Sequence, residues 1–146
     1  MKQRSRARGW ALQVLYAWEA RRPSRDIDDV LEEFLTTRRI HPDSRAYLRS
    51  LVGLVETHLR DIDASLSESL TNWRLERLSV IDRNVLRIGA AELLHADDVP
   101  PRAALQEAII LAEKYGTDES PRFVNGVLDA LMHARSGEGA GGRERR

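Results

Sequence analysis

The chain contains no cysteine, so it can form neither a disulfide framework nor a thiolate metal site, a usage compatible with the cytosol. It has no apolar run approaching the roughly 20 residues that a membrane-spanning helix requires, which excludes such a span. Its basic start is not followed by the apolar stretch and cleavage site of a secretory signal. Net charge is also missing, since 23 basic residues balance 23 acidic ones, and a neutral chain does not suit nonspecific coating of nucleic acid. His41, His58, His95 and His133 are scattered without ligand spacing, so no zinc site is expected. Gly137, Gly139, Gly141 and Gly142 lie in a polar segment with no following helix, and none of the serines sits in a nucleophile elbow. Nothing here assembles an enzyme, and no cofactor is expected.

What is present is enough to fold. Of the 146 residues, 42% are hydrophobic and 32% charged, a balance that supports one domain or two tightly joined helical subdomains. The charge is unevenly placed: residues 1–25 carry seven basic side chains against the single acid Glu19, and the remainder is correspondingly acidic. A basic head on a neutral body points to local phosphate binding; the plainer reading is a solvated terminus.

Nearly every segment has helical period, and proline marks the interruptions. Ala7, Ala11, Val14, Leu15 and Trp18 form one inward stripe of a helix that Ser5 caps and Pro23 ends. Ile27, Val30, Leu31, Phe34 and Leu35 predict a second helix over Asp26–Arg38. Leu48, Val52, Val55, Leu59, Ile62 and Leu66 predict a longer seam that starts near Pro42 and bends near Arg60–Ile62. A turn over 72–75 precedes a helix from Arg77 to Ala96, and Pro100-Pro101 separates it from the next, over 102–115, which Gly116 ends. Ser120-Pro121 opens the last helix, in which Gly126 is expected to allow close backbone packing. The expectation is an all-α fold of about seven helices over residues 1–135, with 136–146 a mobile, disordered tail that has no apolar side to bury.

The residues suited to a binding surface cluster at the start. Arg4 and Arg8 stack one turn apart with Arg6 on the neighbouring surface, and arginine can fork onto phosphate or stack on a base. Gln13 can reach base edges, and Trp10 and Tyr16 offer stacking surfaces or, more simply, cover the core or a protein partner. Trp73, between Asn72 and the central helix, is expected to be structural and to cover the junction between subdomains.

Several motifs in order carry a resemblance: Arg6-Ala7-Arg8 with Ala11-Leu12-Gln13-Val14-Leu15-Tyr16, then Asn72-Trp73, Leu75-Glu76-Arg77-Leu78, Asp82-Arg83-Asn84-Val85-Leu86-Arg87 and Glu92-Leu93-Leu94. Val99-Pro100, Glu107-Ala108, Leu111-Ala112 and Phe123-Val124-Asn125-Gly126-Val127-Leu128-Asp129 complete it. Together they resemble the NusB family of bacterial transcription antitermination factors over nearly the whole ordered length. The resemblance implies two small helical bundles and a non-catalytic protein that binds the boxA element of ribosomal RNA transcripts. It implies as partners NusE, a small-subunit ribosomal protein, and the RNA polymerase complex with NusA and NusG. It adds Arg87, Tyr115, Glu119 and Phe123 to Arg4, Arg6, Arg8 and Gln13 as RNA-binding residues, and places Tyr16, Asp82 and Arg83 at the partner surface. This chain departs from the family pattern at Arg4-Ser5, where relatives have paired arginines, at Gln106 in place of asparagine, and at Ala91 in place of an aromatic. Two alternatives stand beside this reading: an accessory RNA-binding module associated with ribosomal RNA modification, and a homodimeric protein-interaction scaffold.

Overall fold

The computed structural model describes the backbone of residues 2–144 and the side-chain surroundings of residues 2–136. It contains seven α-helices and one 3-10 turn among the described residues: α1 (Lys2–Arg21), α2 (Ile27–Thr37), α3 (Pro42–Thr57), α4 (Leu59–Ser69), the turn Leu75–Arg77, α5 (Val80–His95), α6 (Pro101–Tyr115) and α7 (Ser120–Glu144). Local chemistry starts several of them. His41 accepts the Asp43 amide on its Nδ1 at 3.1 Å ahead of Pro42, and the Ser79 hydroxyl accepts the Asp82 amide at 3.1 Å.

Some expectations need correcting. α1 begins at Lys2, so Ser5 lies inside the helix and its hydroxyl turns to α6 instead of capping α1. The long seam breaks at His58, earlier than the expected bend, which gives two helices where one bent helix was expected. The 3-10 turn takes up Leu75–Arg77, so α5 starts only at Val80. Gly126 has open space where a side chain would stand; the glycine that close packing requires is Gly89, where a Cβ would come within 2.6 Å of Leu128. Helical backbone continues in α7 to Glu144, over most of the segment 136–146 expected as a disordered tail, while the side chains of 137–144 and all of Arg145 and Arg146 lie outside the described residues.

Helices α1–α3 pack on one another, as do α4–α7, and the two groups join where α1 and α3 meet α5. The core runs through this junction without a break: Leu12, Leu15, Leu48, Leu51, Leu86 and Ile88 are all at most 1% exposed and belong to one cluster. Burying such a side chain stabilises the fold by roughly 1.5–3 kcal/mol, and these contacts join the halves into one core. The central helix α5 meets both groups, and every residue from Asn84 to Glu92 is buried. No helix among the described residues is long and apolar enough to cross a membrane.

Candidate nucleic-acid interface

Helix α1 carries its charges on two different faces. Lys2, Arg6, Gly9, Gln13 and Tyr16 follow one another at spacings of four and three residues, which puts them on one stripe. Lys2, Arg6, Gln13 and Tyr16 are exposed, Tyr16 by 50%. Facing this stripe is the end of α6, with exposed Ile110 and Lys114 and half-buried Tyr115. Between the two helices lies a groove of about 370 Å³ whose lining includes Lys2, Arg6, Trp10, Gln13, Lys114 and Tyr115. Trp10 is fixed by an edge-on contact with Phe34, ring centres 6.3 Å apart. A methyl group at Gly9 would stand 3.2 Å from the Tyr115 hydroxyl, so glycine there lets that ring lie against α1. Amines, a guanidinium, an amide and two aromatic faces along one groove can hold phosphates and stack bases.

Arg8 does not belong to that face. It is 5% exposed, and its Nε donates to both Glu92 oxygens at 2.9 and 3.0 Å while Nη1 donates to Glu107 at 2.8 Å. The Tyr47 hydroxyl also donates to Glu92, and the Ser5 hydroxyl to Glu107. Burial opposes the Arg8 charge, but the hydrogen bonds and charge of Glu92, with Glu107 and Tyr47 beyond, outweigh it and raise its pKa. For Tyr47, burial first and then Glu92 keep the phenol protonated well above its usual range. Arg8 is thus held inside the protein by two carboxylates, where a surface contact with RNA was expected. Arg4 is intermediate. It pairs with Asp98 at 2.8 Å and lies 4.4 Å over the Tyr47 ring, yet 39% of its side chain is exposed, so a phosphate can compete for it.

A second, partly buried network lies near the other end of α1. Glu19 receives Arg83 through Nε and Nη2 at 2.9 Å each, Arg87 at 3.0 Å and the Asn84 amide at 3.0 Å. Arg87 also grips Asp63 of α4 at 2.9 and 3.0 Å and is 5% exposed. Arg83 Nη1 donates to the Leu75 and Leu78 carbonyls at 3.2 and 2.8 Å, pinning the 3-10 turn to α5. Arg87, expected at the RNA surface, and Arg83, expected at the partner surface, both tie helices together within the protein, Arg83 keeping 13% of its side chain exposed.

Glu119, Phe123 and Asp82 meet elsewhere, in a crevice of about 290 Å³ also lined by Trp73 and Arg77. Asp82 has a buried Oδ1 without a hydrogen-bond partner. Trp73 is 60% exposed at its edge, which overturns the expectation that it seals the subdomain junction. Thus Arg6, Gln13 and Tyr115 come together in one groove, with Tyr16 further along the same stripe. Glu119, Phe123 and Asp82 share a second site, and Arg8, Arg83 and Arg87 turn inward. The sequence reading missed Lys114 and Ile110, for which it held no signal, and left Lys2 only in the charge count. For Lys2 the signal was available, because it shares the helical stripe of Arg6 and Gln13. Among the described residues no three acidic or histidine side chains are placed to hold a metal ion.

These features define a class, an all-helical protein with a basic, aromatic-lined groove between two helices. The NusB family profile matches residues 5–133, and the chain belongs to the NusB family. It is similar to the transcription antitermination protein NusB of Sorangium cellulosum, 44% identical over 131 residues covering 90% of this chain and 92% of that one. It is 37% identical over 138 residues to the protein of the same description from Chloroherpeton thalassium, spanning 93% of this chain but 64% of that longer relative. A crystal structure of the antitermination factors NusB and NusE in complex with dsRNA contains a chain 30% identical to this one, with a TM-score of 0.81 covering 92% of this chain and 98% of that one.

Proposed function

We propose that this chain is a cytoplasmic, non-catalytic transcription antitermination factor that binds boxA RNA of ribosomal RNA transcripts together with NusE, within the RNA polymerase complex that includes NusA and NusG. The observation that carries the reading is the α1–α6 groove, where Arg6, Gln13, Lys114 and Tyr115 are all reachable from solvent. Family membership and the NusB–NusE–RNA assembly of a structural relative support it. In this assignment Lys2, Arg6 and Arg4 take the phosphates, Gln13 reaches base edges, Trp10 and Tyr115 stack on unpaired bases, and Glu119 and Phe123 extend the RNA surface. Asp82 and Tyr16 face the protein partner, where charge sets orientation more than affinity.

The test is a titration of labelled boxA RNA and of a scrambled RNA with this protein, with NusE, and with both. Selective ternary binding tighter than either protein alone is expected, because two proteins cover a longer RNA and stabilise each other's bound arrangement. Self-association without RNA selectivity would favour a homodimeric scaffold instead, and co-purification with an RNA-modifying subunit would favour an accessory module. Absence of both a protein pair and a boxA complex at low and physiological salt would overturn the assignment.

A further inference from the structure

Helix α1 rests on α3 and α5 and only weakly touches α6, although α6 supplies the second wall of the groove. Two hydrogen bonds across that gap converge on Glu107. Its carboxylate accepts from Arg8 Nη1 at 2.8 Å and from the Ser5 hydroxyl, joining successive turns of α1 to the middle of α6. The Glu107 side chain is only 15% exposed, and Arg8 is itself clamped by Glu92, which is 1% exposed. Glu107 is therefore fastened to a fixed point of the core, and Lys114 and Tyr115 lie two turns further along the same helix.

We infer that Glu107 is a positioning residue for RNA binding: it holds α6 at the separation from α1 at which both walls of the groove address one ligand. The inference rests on the groove being the RNA site. It also runs against the simplest electrostatic expectation. A carboxylate beside a phosphate-binding groove repels the ligand, so its removal alone would strengthen binding. Positioning predicts the opposite sign, because arginine and lysine contacts that no longer line up lose their cooperation.

The experiment compares boxA RNA affinity, over a range of salt, for the unaltered protein, Glu107→Ala, Glu107→Gln, Arg6→Ala and the Arg6→Ala/Glu107→Ala double variant. A fluorine resonance from 5-fluorotryptophan at Trp10 reports the groove itself. Glu107→Ala is expected to weaken binding by roughly tenfold and to move the Trp10 resonance, the scale of losing two hydrogen bonds to a carboxylate, one of them from a charged donor. Glu107→Gln keeps an acceptor oxygen for Ser5 and Arg8, so it retains most of the affinity and an unshifted resonance. The double variant loses less than the product of the two single losses. Ile62→Ala, in α4 away from the groove, serves as a variant that loses stability without touching either wall. Equal loss of RNA affinity there would assign the effect to general destabilisation and overturn the inference. Unchanged or tighter binding by Glu107→Ala, with Arg6→Ala weakened, would overturn positioning while leaving the groove intact. Unchanged binding by Arg6→Ala would remove the groove as the RNA site and the inference with it.

Discussion

Arg6 and Arg8 stand two residues apart on one helix and do different work. Two residues of α-helix rotate the side-chain direction by about 200°, so Arg6 opens onto the groove while Arg8 enters the core between α3, α5 and α6. One face of α1 presents Arg6 to solvent; on the other, Arg8 donates to Glu92 and Glu107. Composition alone treats both as one basic patch. The lesson is that a charge counts toward a binding surface only after its intramolecular partners have been subtracted.

The most damaging way to break this contrast is Arg8→Met. It strands the Glu92 and Glu107 carboxylates, and removing one partner of a buried pair costs about 3–5 kcal/mol. Urea unfolding measures it, and a loss below about 1 kcal/mol would mean that water reaches those carboxylates. The next effect sharpens the comparison at the other end of α1. Burial works to raise the Glu19 pKa, but hydrogen bonds from Arg83, with Arg87 behind them, hold it below its ordinary value of 4.5. The folded state thus binds that proton less readily than the unfolded chain. The resulting stabilisation is complete above about pH 4.5 and disappears as pH falls through the folded-state value. Glu19→Gln should flatten this acid limb, and an unchanged limb would place its origin elsewhere. The smallest effects belong to the exposed side. Tyr16→Ala and Trp73→Ala should each change unfolding stability by less than about 0.5 kcal/mol, the range usual for surface positions. A loss of several kcal/mol at Trp73 would restore its expected role at the subdomain junction.

The same contrast explains how much was legible beforehand. Apolar stripes are local and periodic, so Ala7, Ala11, Val14 and Leu15, or Val30 and Leu31, could be placed inside from sequence, and all are at most 2% exposed. Proline and capping residues fixed most helix boundaries within a few positions. The break at His58 escaped because the apolar spacing of Val55, Leu59 and Ile62 continues across it, and only tertiary packing separates α3 from α4. Trp73 was misjudged because a large aromatic beside an apolar helix has no local sign of its own exposure.

Taken alone, the sequence determined an all-helical chain, its inward stripes, its basic start and its family. Those properties depend on residues within a few turns of each other, or on motif order, and need no knowledge of distant neighbours. Which arginines remain available was decided only by the tertiary structure. Arg8 meets Glu92 across 84 positions and Arg87 meets Glu19 across 68, contacts that exist only once α1 and α5 have packed. A guanidinium buried against carboxylates is held by their charge and hydrogen bonds against the cost of desolvation, and none of these is set by the residue's own segment of chain.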